Sequence, residues 1–167
     1  MMKYTSAVLA GSLLFAQSVA GQEQFQNPQQ ARFSYAVKFV CSEQNEELAE
    51  GLLPGVYGTA INVHNPSLEQ GVVYFKKFVK GFVMQEQGEP TDFEREELRP
   101  NHAFEVECVE IMERLGGGFA TATGFVVFLT RRPLDITAVY TAGPISTGEV
   151  ASIHVEPIRA RRLQPDD

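Results

Sequence analysis

Residues 120–142, ATATGFVVFLTRRPLDITAVYTA, limit the fold more than any other stretch of the chain. Two apolar runs rich in β-branched residues are separated by Arg131-Arg132-Pro133. Such a pattern is a strand, a tight polar connection and a second strand, and it predicts the centre of a β-sheet core. The first run is apolar on both faces, with Phe125, Val127 and Leu129 on one and Val126 and Phe128 on the other. A strand of that kind belongs inside its sheet, with something covering each face. If nothing in the monomer covers Val126 and Phe128, theirs is the face on which to seek a partner.

The remaining chain repeats this grammar. Phe33, Tyr35, Val37 and Phe39 alternate with smaller or polar residues, and Cys41 continues their parity. Period-two alternation marks a strand with one buried face. Residues 56–64 place Tyr57, Thr59, Ile61 and Val63 on one face and Gly58, Ala60, Asn62 and His64 on the other. Asn65-Pro66-Ser67 ends that strand, because proline cannot donate to a ladder. Residues 71–84 form a long apolar-basic run in which Lys77 breaks one apolar set, predicting a bulge or a switch of partner near Lys76-Lys77. Residues 93–99 suit a charged edge strand, and 103–109 a further strand with Cys108 on its apolar parity. Residues 110–115 fit one helical turn ended by three glycines, and 150–158 the last strand. The glycines lack a following Lys-Ser/Thr and are no phosphate loop.

Seven or eight short strands with turns between them and no long amphipathic helix predict an all-β fold. The expected form is an antiparallel β-sandwich, since several strands are apolar on one face only.

At the start, residues 1–20 have the build of a signal peptide: Lys3, the apolar run AVLAGSLLFA, and small residues at Ser18-Val19-Ala20. The run is half the length of about 20 residues that a spanning helix needs, so no transmembrane segment is expected in the mature chain. Residues 21–31 read as a flexible Gln-rich leader, 32–158 as the domain and 159–167 as a charged tail. The expected location is secreted or periplasmic. Removal of Lys3 takes the net charge from −7 to −8, which argues against nucleic acid as a partner.

Two cysteines in an exported chain are expected to pair. A Cys41–Cys108 bridge would close a loop of about 68 residues, for which chain entropy assigns roughly 4 kcal/mol.

Three histidines, His64, His102 and His154, sit in separate segments without ligand spacing, and no metal or cofactor is expected. A G-x-S-x-G elbow is absent, so nothing specific supports an enzyme. The remaining candidate site is a stripe of Tyr74, Lys76, Phe78, Lys80 and Phe82, which if exposed would be an apolar-basic patch for a partner. These features predict a non-catalytic domain that binds a protein or surface polymer. The alternatives are a loop-based hydrolase or metal-dependent enzyme, and a structural subunit of a surface assembly. The oligomeric state is open.

At FSYAVKFVCS, PGVYGTAINVHNPS, GFVVFLT-RRPLDITAVYTA and ASIHVEPIRARRL the chain resembles small uncharacterised exported bacterial proteins. The resemblance spans most of the mature chain and implies export and a single immunoglobulin-like β-sandwich domain. It implies no activity and assigns no functional residue.

Overall fold

A computed structural model describes residues 25–43, 55–81, 87–117, 121–147 and 149–164. The residues expected to form a signal peptide, most of the 42–50 loop, Phe82 and the last three residues of the sequence lie outside them.

The described residues form an antiparallel sheet of ten strands. They are β1 (Phe33–Glu43), β2 (Val56–His64), β3 (Val72–Gly81), β4 (Gln87–Pro90), β5 (Glu94–Leu98), β6 (Ala103–Glu107), β7 (Thr121–Thr130), β8 (Asp135–Gly143), β9 (Ser152–Pro157) and β10 (Arg161–Arg162). One helix, α1 (Cys108–Arg114), follows β6. The path runs β4-β3-β7-β1-β2-β8-β9, with β5 on β3, β6 on β2 and β10 on β1.

Two arms result. In one, β7 lies between β3 and β1 and pairs with β1 from Phe33↔Thr130 to Ser42↔Thr121. In the other, β2 lies between β6 and β8, and β9 closes the edge. Among the described residues the arms share a backbone ladder only at the β1–β2 corner, Ser42↔Tyr57 and Glu43↔Val56. Past that corner the strands part, and side chains replace the ladder. Thr59 Oγ1 accepts from Val40 N–H and donates to Val40 O. At the far end, the Tyr35 hydroxyl donates to Leu134 O and accepts from Leu134 N–H.

The core lies between the arms. Tyr74 of β3 stacks on Phe104 of β6 at 5.1 Å, and Phe104 meets Phe128 of β7 at 6.4 Å. Val37, Phe39, Ile61, Val63, Phe78 and Val126 are fully buried beside them. Stacked and tilted rings at these distances add to the burial of apolar area. Cys41 and Cys108 are bonded, with Cα atoms 5.5 Å apart, tying β1 of one arm to the β6–α1 junction of the other. Cys108 begins the helix rather than ending a strand. The helix plugs the core with Ile111 and stops where Gly116 and Gly117 take positive φ, which glycine adopts without steric cost.

Asn65 holds the β2–β3 turn. Its buried amide donates to Gln70 O at 2.8 Å and Arg99 O at 3.1 Å, and its Oδ1 accepts from Ser67 N–H. The partner switch expected near Lys76-Lys77 occurs: β3 pairs with β5 through Lys76 and with β4 from Val79 on, while its ladder with β7 runs unbroken.

Several expectations need correction. Ten strands replace seven or eight, because β4 lies between two expected strands and β10 within the expected tail. Residues 25–31 are no free leader: Phe25 and Ala31 are buried with Phe75 in a second apolar cluster. Leu163 packs on that cluster too, after β10 pairs with the start of β1, so residues 159–163 belong to the domain. Val126 and Phe128 face the core between the arms; Phe125 is the exposed side chain of that strand.

Candidate functional site

The sequence stripe is divided by the fold. Tyr74, Lys76 and Phe78 are buried, so they form no exposed binding face. Lys80 is half-buried, and partial desolvation holds its amine below the usual lysine range. Phe82 lies outside the described residues. The reason for the burial is compensation. The Lys76 side chain is 4% exposed, and its Nζ lies 2.5 Å from Glu110 Oε1, 3.5 Å from Glu96 Oε1 and 3.7 Å from Glu94 Oε2. Three carboxylates from β5 and α1 thus surround one ammonium, and Arg114 holds Glu94 from the other side at 3.0 Å. The Phe78 ring lies 5.7 Å from the same Nζ. A buried charge persists when it is paired in this way.

Tyr74 closes the network by donating to Glu96 Oε2 at 2.7 Å. Burial pushes its phenol up strongly, and the hydrogen bond to Glu96 and the nearby carboxylate charges add to the effect. Burial also raises Tyr35 and Tyr140. For all three, the folded value lies above the ordinary 10.0. Their contribution to stability is therefore complete below that pH and is lost as pH rises through the folded values. The urea midpoint should hold from about pH 7 to pH 9 and fall above about pH 10, and Tyr74→Phe should flatten the fall. An unchanged alkaline slope in that variant would refute the assignment.

The outer face of the β3–β7–β1 arm is different. Register places Lys38, Phe125 and Val79 in one row across β1, β7 and β3, and Ala36, Val127 and Lys77 in the next. Phe125 is 43% exposed in mid-strand. Lys38 Nζ sits 5.4 Å from the Phe125 ring centre and Lys77 Nζ 4.6 Å from that of Phe93. Arg95 shares this face opposite Phe75 and donates to Phe25 O. The face is thus apolar at its middle and carries Lys38, Lys77 and Arg95, with Glu97 at its β5 edge opposite Val73, whereas Glu94, Glu96 and Glu110 gather around Lys76. Lys38, Lys77 and Arg95 outweigh Glu97 on this surface of an acidic chain, which favours anions there. Sequence alternation had already put Phe125 and Val127 on one face; the bias of β7 toward its other face was what pattern alone left undecided.

The histidines are dispersed. His64 lies between Asp135 at 3.4 Å and Asn101 at 3.3 Å, His102 contacts Pro100 O at 2.7 Å, and His154 stacks on Tyr140.

No family model matches the chain, and no curated protein does. One solved structure, the crystal structure of Thermotoga maritima 1070, is similar with a TM-score of 0.49 and 10% identity, covering 77% of this chain and 93% of that one. That likeness is too distant to carry a topology or an activity across. Among the described residues no helix is long and apolar enough to cross a membrane.

Proposed function

We propose that the chain is an exported, non-catalytic binding domain that holds an anionic partner, a protein or a surface polymer, on the outer face of the β3–β7–β1 arm. The observation that carries this reading is Phe125: a large aromatic left exposed in the middle of a strand, with Lys38 beside its ring. Exposed aromatic surface flanked by cations suits a ligand that brings both an apolar contact and negative charge. Export is supported by the residue pattern of 1–20 and by the disulfide, which persists in oxidising compartments. A location outside the cytoplasm, secreted or periplasmic, follows from that reading. The two arms would be the layers of an immunoglobulin-like β-sandwich, in line with the resemblance to small exported bacterial proteins. The support for two layers is the aromatic contact of Tyr74, Phe104 and Phe128 across the core. A non-catalytic role is supported by the Lys76 network, where the buried ammonium is already surrounded by carboxylates.

The test is affinity capture from the native envelope with tagged mature protein, beside the double variant Phe125→Ser, Lys38→Ser. Both side chains are exposed, so folding stability should change by less than about 1 kcal/mol. Capture should fall at least about tenfold and weaken with added salt. Equal capture by the folded double variant would remove this face from the proposal.

A further inference from the structure

The β9 strand is the last of the sheet path and, among the described residues, pairs with β8 alone. All six of its residues are exposed, with Ile153 at 66% and Val155 at 56%. The other edges are more heavily guarded over their length. β5 carries Glu94, Arg95, Glu96 and Glu97, β6 carries Glu105 and Glu107, and β4 ends in Pro90. Charges and proline are how sheet edges avoid pairing with other chains. β9 has its one carboxylate, Glu156, and its proline, Pro157, together at its end, which leaves Ser152 to Val155 without an acidic residue, a lysine or a proline.

Its hydrogen-bonding sense can be read from one bond. Ile158 N–H donates to Ile136 O, and these two residues continue the β8–β9 register. Antiparallel ladders alternate, so Glu156, His154 and Ser152 turn their peptide groups to β8. Ile153, Val155 and Pro157 turn theirs outward, and proline brings no N–H.

We propose that the protein forms a symmetric dimer by antiparallel pairing of β9 with β9 of a second copy, with the two-fold axis at His154. The register follows from the donors. Centred on His154, Ile153 of each copy faces Val155 of the other, and all four outward N–H groups and their carbonyls are satisfied in two hydrogen-bonded pairs. A centre at Val155 would oppose Ile153 to the proline, which cannot donate. A centre at Ile153 would oppose Val155 to Ala151, whose N–H is already given to Ala142 O. On one face the His154-centred pairing joins Ile153 and Val155 of both copies, an aliphatic cross-strand cluster. On the other, Ser152 meets Glu156 as a hydrogen-bonding pair without like charges opposed. The edge is therefore self-complementary, as an interface between identical subunits must be. The anionic-partner face belongs to the other arm.

The test is sedimentation equilibrium of the mature, disulfide-bonded protein, with Ile153→Lys and Val155→Pro. The wild type should sediment as a dimer, and each variant should weaken it at least about tenfold, since one sets like charges on the edge and the other removes a donor. His154→Cys reads the register: residues facing each other across the axis in a non-hydrogen-bonded pair are near enough to cross-link on oxidation, whereas Ser152→Cys is two residues off the axis. A monomeric wild type overturns the proposal, as does a dimer that survives both edge variants. Cross-linking through Ser152→Cys in preference to His154→Cys overturns the register. A monomer whose Ile153→Lys variant loses an envelope partner would assign the edge to another protein's strand and overturn self-pairing.

Discussion

Reduction of the Cys41–Cys108 bond should lower the unfolding free energy by roughly 4 kcal/mol, as the loop it closes contains most of the domain's first half. Against a stability of about 5–15 kcal/mol for a domain of this kind, that is a large share. The bond's position strengthens the expectation. The arms share a backbone ladder only at the corner formed by the last residues of β1, and Cys41 lies one residue before it. With the covalent tie removed, the corner rests on two residue pairs and the Thr59–Val40 contacts. The double variant Cys41→Ala, Cys108→Ala should show the loss in urea denaturation monitored by circular dichroism. An unfolding free energy within about 0.3 kcal/mol of the wild type would mean that the ladder and the core hold the arms without the bond.

Gly124→Ala should cost about 3 kcal/mol or more. A Cβ there would stand 2.0 Å from Val79 O and 2.7 Å from the Phe39 ring. The ring belongs to a fully buried side chain and the oxygen to the neighbouring strand's backbone, so neither can move aside cheaply. Gly58→Ala is the control. Its Cβ would meet only Thr141 Oγ1, at 2.7 Å, a side-chain atom free to change rotamer. That variant should stay within about 1 kcal/mol of the wild type. Equal thermal denaturation of the two variants would contradict the account of β7 packing.

The faces of β1 and β2 were legible because alternation along a half-buried strand is a property of the sequence itself. Tyr35, Val37, Phe39 and Cys41 point inward together, as do Thr59, Ile61 and Val63. Cys41 shares that parity, whereas Cys108 lies at the start of α1, where strand alternation no longer applies. β3 and β7 were ambiguous for a physical reason: each is apolar on both faces, and period two then says which residues share a face but not which face is buried. Lys76 made the wrong choice attractive, since a lysine ordinarily marks solvent. Its burial depends on Glu94, Glu96 and Glu110, two of them on β5 and one on α1, and no local window of sequence holds all four. The short pieces were missed for another reason. β10 is held by a backbone ladder to β1, and pairing of two residues leaves no periodic mark. Phe25 among glutamines read as part of a polar leader, although one aromatic suffices to cap Phe75 edge-on at 4.8 Å. The candidate face was half legible: Phe125 and Val127 shared a side, while Lys38 and Lys77 came from strands that only the register brings beside them.

The long ladder of β1 bears on the order in which the chain can fold. β1 pairs over nearly its whole length with β7, and only at its tip with β2, its neighbour in sequence. A polypeptide emerging amino-terminus first cannot complete its first strand until residue 130 is available. Closing so wide a loop costs entropy before any hydrogen bond repays it, so folding should be slow and late. An extended nascent chain is the form that threads a translocation pore. On the export route proposed above, the topology that delays β1 would keep the chain open during passage and allow it to collapse, and its thiols to oxidise, on the far side.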